Sequence, residues 1–119
     1  GRGVSVIESG DPKAVFPSGS KIDVTHIADQ SREKVRQRFK GRQYDLIYFD
    51  ELTGFTWECF TEVCTRNRGT AKWTGKIRGT INPDRNHWLR IFLDWYIGID
   101  GFIIEEREGV VRHFYINGE

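Results

Sequence analysis

The chain has 119 residues, of which 38% are hydrophobic and 13% aromatic, and its formal net charge is +1. This length and composition can bury one modest core, which predicts a single domain or part of one. No apolar run is long enough to span a bilayer and no secretory signal opens the chain, so we expect a soluble, intracellular protein with no membrane partner.

The N-terminal part of the chain predicts antiparallel strands. A short β-like segment at positions 3–8 is followed by two strands at 13–16 and 21–27, which a Pro-Ser-Gly-Ser turn joins. In the second strand Ile22 and Val24 alternate with polar residues, which predicts one buried and one wet face. We expect these two strands to form a hairpin at the edge of a sheet.

A short basic helix is predicted next. Asp29 is placed to cap it and Gly41 to end it. Between positions 31 and 42 one acid, Glu33, stands against six basic residues: Arg32, Lys34, Arg36, Arg38, Lys40 and Arg42. Such a run is either a solvated helix face, which composition alone favours, or a surface that contacts the phosphates of a nucleotide or DNA.

Residues 44–51 join an apolar run to two adjacent carboxylates. An uninterrupted apolar stretch of this length predicts a strand that is covered on both faces, as at the centre of a parallel sheet. Asp50 and Glu51 would then stand at the carboxyl end of the strand, where open α/β sheets bind ligands. In nucleotide-hydrolysing domains the first such acid faces magnesium and the second polarises the attacking water. A pair that merely caps the following turn is the alternative.

A second helix is predicted after the acids. Thr56 is its predicted N-cap, and apolar residues recur at helical spacing on a face that would enter the core. Cys59 and Cys64 fall on different faces of this helix, which argues against a disulfide or a shared metal site. Arg66 and Arg68 form a basic tip that suits the helix dipole and could also reach a phosphate or a neighbouring subunit.

The last third of the chain predicts a strand, a helix and a hairpin. If the strand at 76–82 neighbours the strand that carries the acids, Thr80 and Asn82 lie near the acid pair. The Asn82 amide could then sense a terminal phosphate or the attacking water, although ordinary turn chemistry is the alternative. Residues 84–96 predict a helix with a broad aromatic face, and 101–116 a final hairpin. The predicted fold is an α/β sheet, largely parallel at its centre, with flanking helices and a hairpin at each end.

Taken in order, these pieces resemble the large subunit of tailed-bacteriophage terminases, the motors that package viral DNA. The resemblance spans roughly residues 16–97. It rests on four ordered segments: Phe16-Pro17-Ser18-Gly19-Ser20-Lys21-Ile22, the basic segment ending in Gly41, the Walker B-like Leu46-Ile47-Tyr48-Phe49-Asp50-Glu51-Leu52-Thr53 with Phe55-Thr56, and the coupling-motif-like Thr80-Ile81-Asn82-Pro83 with His87-Trp88 and Phe92. It implies part of a P-loop NTPase-type sheet.

The resemblance also implies roles for single residues, with ATP and Mg²⁺ as cofactors. It assigns Asp50 to the magnesium site and Glu51 to the activation of water for ATP hydrolysis. Thr80 and Asn82 match positions that link the state of the γ-phosphate to movement of the part that grips DNA. Such motors also use an arginine to stabilise the transition state. The candidates are Arg38, Arg42, Arg66 and Arg68.

The partners implied are double-stranded DNA, the portal protein, the small terminase subunit and further copies of the chain in a ring, all in the cytoplasm of a bacterial host. The sequence departs from the family in having no G-x-x-x-x-G-K-[ST] phosphate loop, the Walker A motif, and no nuclease domain. We therefore expect residues 1–119 to be a single fragment, the C-terminal part of an ATPase domain, and to be inactive alone. The alternatives are a fragment of a helicase-like nucleic-acid ATPase, or a non-catalytic module that holds DNA or a partner through the helix around Arg36.

Overall fold

The computed structural model describes residues 3, 5–7, 12–69, 72, 74–82 and 84–114. The chain divides into two compact units, Gly1–Gln30 and Ser31–Glu119. In the described part of the chain, no helix has the length and apolar character needed to cross a membrane.

The first unit contains a three-stranded antiparallel sheet in the order β1 (Ser5–Ile7), β2 (Lys13–Val15) and β3 (Lys21–Asp23). The predicted hairpin is confirmed as β2 and β3, although β3 is shorter than expected. The predicted faces of β3 are wrong: Ile22 is exposed, whereas Asp23 is half-buried. Asp23 pairs with Lys13 on the neighbouring strand, with the Lys13 ammonium 3.7 Å from its carboxylate, so a polar pair occupies the more covered face.

The second unit is built on a parallel pair of strands, β4 (Leu46–Phe49) and β5 (Lys76–Gly79). Their register sets Leu46 opposite Lys76 and Phe49 opposite Gly79. The two segments are neighbours, which meets the condition for Thr80 and Asn82 to lie near the acid pair. In the described part of the chain this sheet has two strands, so a larger P-loop NTPase-type sheet stays a prediction.

One face of β4 is covered and the other is open. Phe49 is 3% exposed, whereas Leu46 and Tyr48 are 56% and 59% exposed. The prediction of cover on both faces is therefore wrong for the described chain. The covered face packs against α2 (Trp57–Cys64), where the rings of Phe49 and Phe60 lie 5.3 Å apart. Only that face has elements of the described chain to bury it.

The two longer helices begin at different kinds of residue. The first, α1 (Arg32–Arg38), begins after Ser31, so the prediction that Asp29 caps it is wrong; the first intrahelical bond runs from the Val35 amide to the Ser31 carbonyl at 3.0 Å. The predicted N-cap of α2 is confirmed, because the Thr56 hydroxyl accepts a 3.1 Å hydrogen bond from the Cys59 amide.

An ion pair between exposed arginines and a buried glutamate joins α1 to α2. Glu62 is 5% exposed, and its Oε1 accepts a 2.6 Å hydrogen bond from Nε of Arg36. A guanidinium nitrogen of Arg32 lies 4.0 Å from the second carboxylate oxygen. The bond and charge of Glu62 raise the pKa of Arg36. Arg32 and Arg36, two of the six basic residues of this segment, thus neutralise a buried acid in addition to lying on the surface of the helix.

The C-terminal elements are shorter than predicted. Helix α3 covers Leu89–Leu93 and runs into a 3-10 turn at Asp94–Tyr96, in place of one helix over 84–96. The hairpin predicted at 101–116 is wrong as far as position 114, because a 3-10 turn stands at Glu105–Arg107; positions 115 and 116 lie outside the described residues.

Arg107 explains why this segment folds back instead of pairing as a hairpin. Its Nη1 donates a 2.7 Å hydrogen bond to the Trp95 carbonyl, and its guanidinium lies 4.6 Å from the centre of the Trp95 ring. These contacts hold the segment against the residues that follow α3.

Candidate functional site

The ends of β4 and β5 meet where the acid pair stands. Beyond the strands, the Thr80 amide donates to the Phe49 carbonyl at 3.1 Å, and the Leu52 amide donates to the Thr80 carbonyl at 2.7 Å. These bonds extend the parallel pairing around the turn formed by residues 50–55, which we call the acid turn. Because parallel strands end at the same edge, Asp50 and Glu51 lie beside Thr80.

Four predicted site residues form one hydrogen-bonded group. The Thr80 hydroxyl accepts from the Glu51 amide at 3.1 Å and donates to Oδ1 of Asp50 at 3.3 Å. Nδ2 of Asn82 donates to Oε1 of Glu51 at 2.9 Å. All four residues are exposed, so a ligand can reach them. The structure thus brings together both acids and both coupling residues predicted from the sequence.

The backbone of Glu51 adopts a conformation that side chains rarely take. Its φ of 52° and ψ of 73° are left-handed, and among the described residues it alone has positive φ without being glycine. Such a conformation costs about 1–2 kcal/mol and is found disproportionately at functional sites. It turns the chain so that Glu51 is exposed while the next residue, Leu52, is buried.

Gly79 leaves the space in which Leu52 packs. A Cβ at position 79 would lie 2.5 Å from Cδ1 of Leu52 and 3.4 Å from the Phe49 carbonyl oxygen. Gly79, the last residue of β5, therefore has to be small so that the side chain of Leu52 can pack across the end of the strand. This packing anchors the acid turn just beyond Glu51.

The oxygen atoms of this group suit magnesium better than softer metals. Magnesium is usually held by one or two carboxylates together with substrate phosphates and water. Among the described residues no group of three His, Cys, Asp or Glu side chains could enclose a metal ion. Asp50 could supply one carboxylate ligand to magnesium and leave the other positions to phosphate oxygens and water.

Arg66 and Arg68 lie at the opposite end of β4. The Tyr44 amide donates to the Arg66 carbonyl at 2.8 Å, and the Arg68 amide donates to the Tyr44 carbonyl at 3.0 Å. Asp45 and the four residues of β4 separate Tyr44 from Asp50. The six steps along the strand rise by about 20 Å, more than an arginine side chain spans. The structure does not bring these two arginines to the acid pair of their own chain.

Arg38 and Arg42 belong to the same far edge. Arg42 precedes Tyr44 by two residues, and Arg38 stands in the last turn of α1, next to Phe39. The ring of Phe39 lies 6.5 Å from that of Tyr44, which places the end of α1 at the amino end of β4. We call this surface the basic edge; its cations are Arg38, Lys40, Arg42, Arg66 and Arg68.

A contact that the sequence did not predict fixes the far end of the acid turn. The Phe55 carbonyl accepts hydrogen bonds from Nε2 of His87 at 3.0 Å and from Nε1 of Trp88 at 2.9 Å. A backbone carbonyl leaves no residue-type signal in a sequence. The nearest signal in the sequence is the pair His87 and Trp88 just before α3, because their ring nitrogens need hydrogen-bond partners when they are buried.

A cleft opens beside the same group of residues. Its volume is about 420 Å³, and it is lined in part by Thr53, Asn82, Arg85 and His87. A second cavity of about 800 Å³ is lined by residues between Ile97 and Arg107 and holds none of the predicted site residues. The smaller cleft is therefore the one that bears on the acid pair.

The chain matches the family model that describes the N-terminal part of the terminase large subunit of T4-like viruses, over residues 4–109. No curated protein and no solved structure shows a significant match. Because the matched segment covers most of the chain, the protein belongs to the terminase large-subunit family, which serves in phage DNA packaging. The expected family is thus confirmed, but the expected position is corrected: the matched part of the subunit is N-terminal and not a C-terminal part of the ATPase.

Proposed function

We propose that this chain supplies the metal-binding and water-activating half of an ATP-hydrolysing site in a phage DNA-packaging motor. The observation that carries the proposal is the hydrogen-bonded group of Asp50, Glu51, Thr80 and Asn82 at the ends of two parallel strands. Its exposure, its hard oxygen ligands and the left-handed backbone of Glu51 all support a site that acts on phosphate.

In this proposal each of the four residues has its own task. Asp50 holds the metal ion, which when bound would neutralise charge on the phosphate oxygens. One carboxylate oxygen of Glu51 keeps its bond to Asn82 while the other accepts a proton from water. Thr80 bonds to the backbone of one acid and the side chain of the other, so it fixes their mutual orientation.

Other groups have to complete the site. The sequence has no phosphate loop, so the β- and γ-phosphates would be held by residues that are not part of it. The candidate arginines stand on the basic edge, and Arg66 and Arg68 there bond to Tyr44, about 20 Å along the strand from Asp50. If one of these four arginines acts as a finger, it would therefore act on the acid pair of a neighbouring subunit, whereas Arg85 lines the cleft beside Asn82 in the same chain.

The remaining elements of the proposal follow from the family. The motor would move double-stranded DNA into procapsids from the cytoplasm of the bacterial host, with the portal protein and the small terminase subunit as partners. The working unit would be a ring of identical subunits built on a P-loop NTPase-type fold. Asn82 would report the state of the γ-phosphate to the part of the subunit that grips DNA.

The test is Glu51→Gln in the full-length subunit that contains this sequence. The variant should bind ATP with nearly unchanged affinity and lose hydrolysis, because the amide cannot accept the proton of the attacking water. Glu58→Gln is the matched control, since Glu58 is an exposed glutamate on α2 and should leave hydrolysis intact. Undiminished ATPase and packaging by the Glu51 variant would refute the proposal.

A second candidate function is binding of a DNA backbone by the basic edge. The observation that favours it is the gathering of five cations at one edge, from the end of α1 and from the loops that follow α1 and α2. Removing one phosphate contact should weaken duplex binding and reduce the slope of log affinity against log salt by about 1. Arg68→Gln tests this in a duplex-binding assay, with Arg85→Gln, which lies beside the cleft, as the control.

A further inference from the structure

The segment 80–88 holds the acid turn at both of its ends. At the near end, the Thr80 carbonyl and hydroxyl accept from the amides of Leu52 and Glu51. At the far end, the Phe55 carbonyl accepts from His87 and Trp88. One continuous segment therefore fixes both the first and the last residues of a short turn that carries the acid pair.

The hydrogen bonds of His87 define which of its nitrogens carries the proton. The Leu89 amide donates to Nδ1 of His87 at 3.2 Å, so Nδ1 is the acceptor. Nε2 then bears the hydrogen and donates it to the Phe55 carbonyl at 3.0 Å. Both ring nitrogens are thus used, one to begin α3 and one to hold the acid turn.

Trp88 also belongs to the aromatic cluster beneath the acid turn. Its ring centre lies 4.8 Å from that of Phe60 and 5.1 Å from that of Trp57. Phe60 in turn lies 5.3 Å from Phe49, the residue directly before Asp50, and Phe49 lies 5.2 Å from Phe55. The start of α3 is therefore packed against the strand end from which the acids project.

We infer that His87 and Trp88 are positioning residues that hold Asp50 and Glu51 in place through the Phe55 carbonyl. The inference rests on the proposed function, because the site that His87 and Trp88 would position is the proposed hydrolytic site. His87 and Trp88 touch neither the acids nor any reacting atom.

Amide hydrogen exchange of the 119-residue chain tests this inference without any nucleotide. In His87→Phe the ring is kept and the donor is lost. The amides of Glu51 and Leu52 should then exchange about tenfold faster, the factor that corresponds to one hydrogen bond near the upper end of the usual range. The Arg68 amide, which bonds to Tyr44 at the other end of β4, is the internal reference and should change little.

His87→Gln is the matched control, because its amide can still donate to the Phe55 carbonyl. It should restore slow exchange at Glu51 and Leu52 to within about threefold of the wild type. Equal acceleration at Arg68, Glu51 and Leu52 in His87→Phe would show a general loss of stability and overturn the inference. Unchanged exchange at Glu51 and Leu52 would overturn it as well.

A measurement on the wild-type chain keeps the inference testable if His87→Phe fails to fold. The indole hydrogen on Nε1 of Trp88 should be protected from exchange by its bond to Phe55, and exchange at the rate of a free indole would refute the contact. These exchange results do not depend on catalysis. Loss of the proposed function would appear only in the hydrolysis assay of Glu51→Gln, so the two ideas fail separately.

Discussion

Removal of the Thr80 hydroxyl is the sharpest perturbation of the candidate site. Thr80→Val keeps the shape and β-branching of the side chain but leaves the Glu51 amide without its acceptor and Oδ1 of Asp50 without its donor. A neutral hydrogen bond contributes about 0.5–1.5 kcal/mol to stability, and one to a charged group such as the Asp50 carboxylate about 1.5–3 kcal/mol. Because the group is exposed, water partly replaces both partners, so we expect a net loss of about 1–2 kcal/mol in the free energy of unfolding.

Urea denaturation of the isolated chain measures this loss. Thr80→Ser keeps the hydroxyl and should stay within about 0.5 kcal/mol of the wild type. Thr61→Val is a second control, because the Thr61 hydroxyl bonds only to the carbonyls of Trp57 and Glu58 in its own helix. Such bonds add little to stability. The two controls separate the loss of a hydroxyl from the loss of this particular hydroxyl.

Thr80→Val should also lower activity, beyond what its loss of stability explains. In the full-length subunit Thr80→Val should lower kcat for ATP hydrolysis by more than the fraction of unfolded protein explains, since it frees both acids to turn. Thr80→Ser should keep the rate. A valine variant that retained both wild-type stability and wild-type kcat would show that the hydroxyl orients neither acid, and the proposed geometry of the site would be wrong.

Three further predictions concern the rest of the second unit. Asn67→Ala should cost about 1–3 kcal/mol, measured by urea denaturation, because the Asn67 amide donates to three backbone carbonyls at 3.0–3.3 Å and joins the start of β4 to that of β5. Gly79→Ala should displace Leu52 and shift the amide resonance of Glu51 in the nuclear magnetic resonance spectrum, whereas Gly54→Ala, which meets no atom within 4 Å, should not. Burial raises the pKa of the thiols of Cys59 and Cys64 to about 11 from 9.0. A raised folded-state pKa means stability that is fully present below pH 9 and lost as pH rises towards 11, so Cys59→Ala should flatten this fall in a pH series of unfolding measurements.

The two strands and the polar residues at their ends could be predicted from the sequence because their signals are local, whereas the pairing of the strands entered only as a condition. An apolar run that ends on Asp50 and Glu51, and a second strand that ends near Thr80 and Asn82, suffice if parallel strands end at one edge. Thr56 was recognised as a cap for the same reason, since the residue that caps and the helix that it caps are adjacent.

The wrong predictions depend on contacts between residues that are far apart in the sequence. The apolar run predicted that Leu46 and Tyr48 are buried. A run of apolar residues does not show which face of the strand lacks a neighbouring element. The C-terminal hairpin was wrong because Arg107 finds its partners on Trp95, twelve positions earlier, and this contact replaces strand pairing. The bonds of His87 and Trp88 to Phe55 join residues 32 and 33 positions apart, and one of the partners is a carbonyl common to every residue.

Strand polarity accounts for the most consequential feature of the second unit. Because β4 and β5 run in parallel, all their carboxyl ends lie at one edge, where Asp50 and Glu51 stand, and all their amino ends lie at the other, next to Arg66 and Arg68. The sequence shows both sets of charges but cannot show that a strand separates them. Because the strand separates them, Arg66 and Arg68 could meet an acid pair of this kind only on another copy, through a head-to-tail contact between the two different edges.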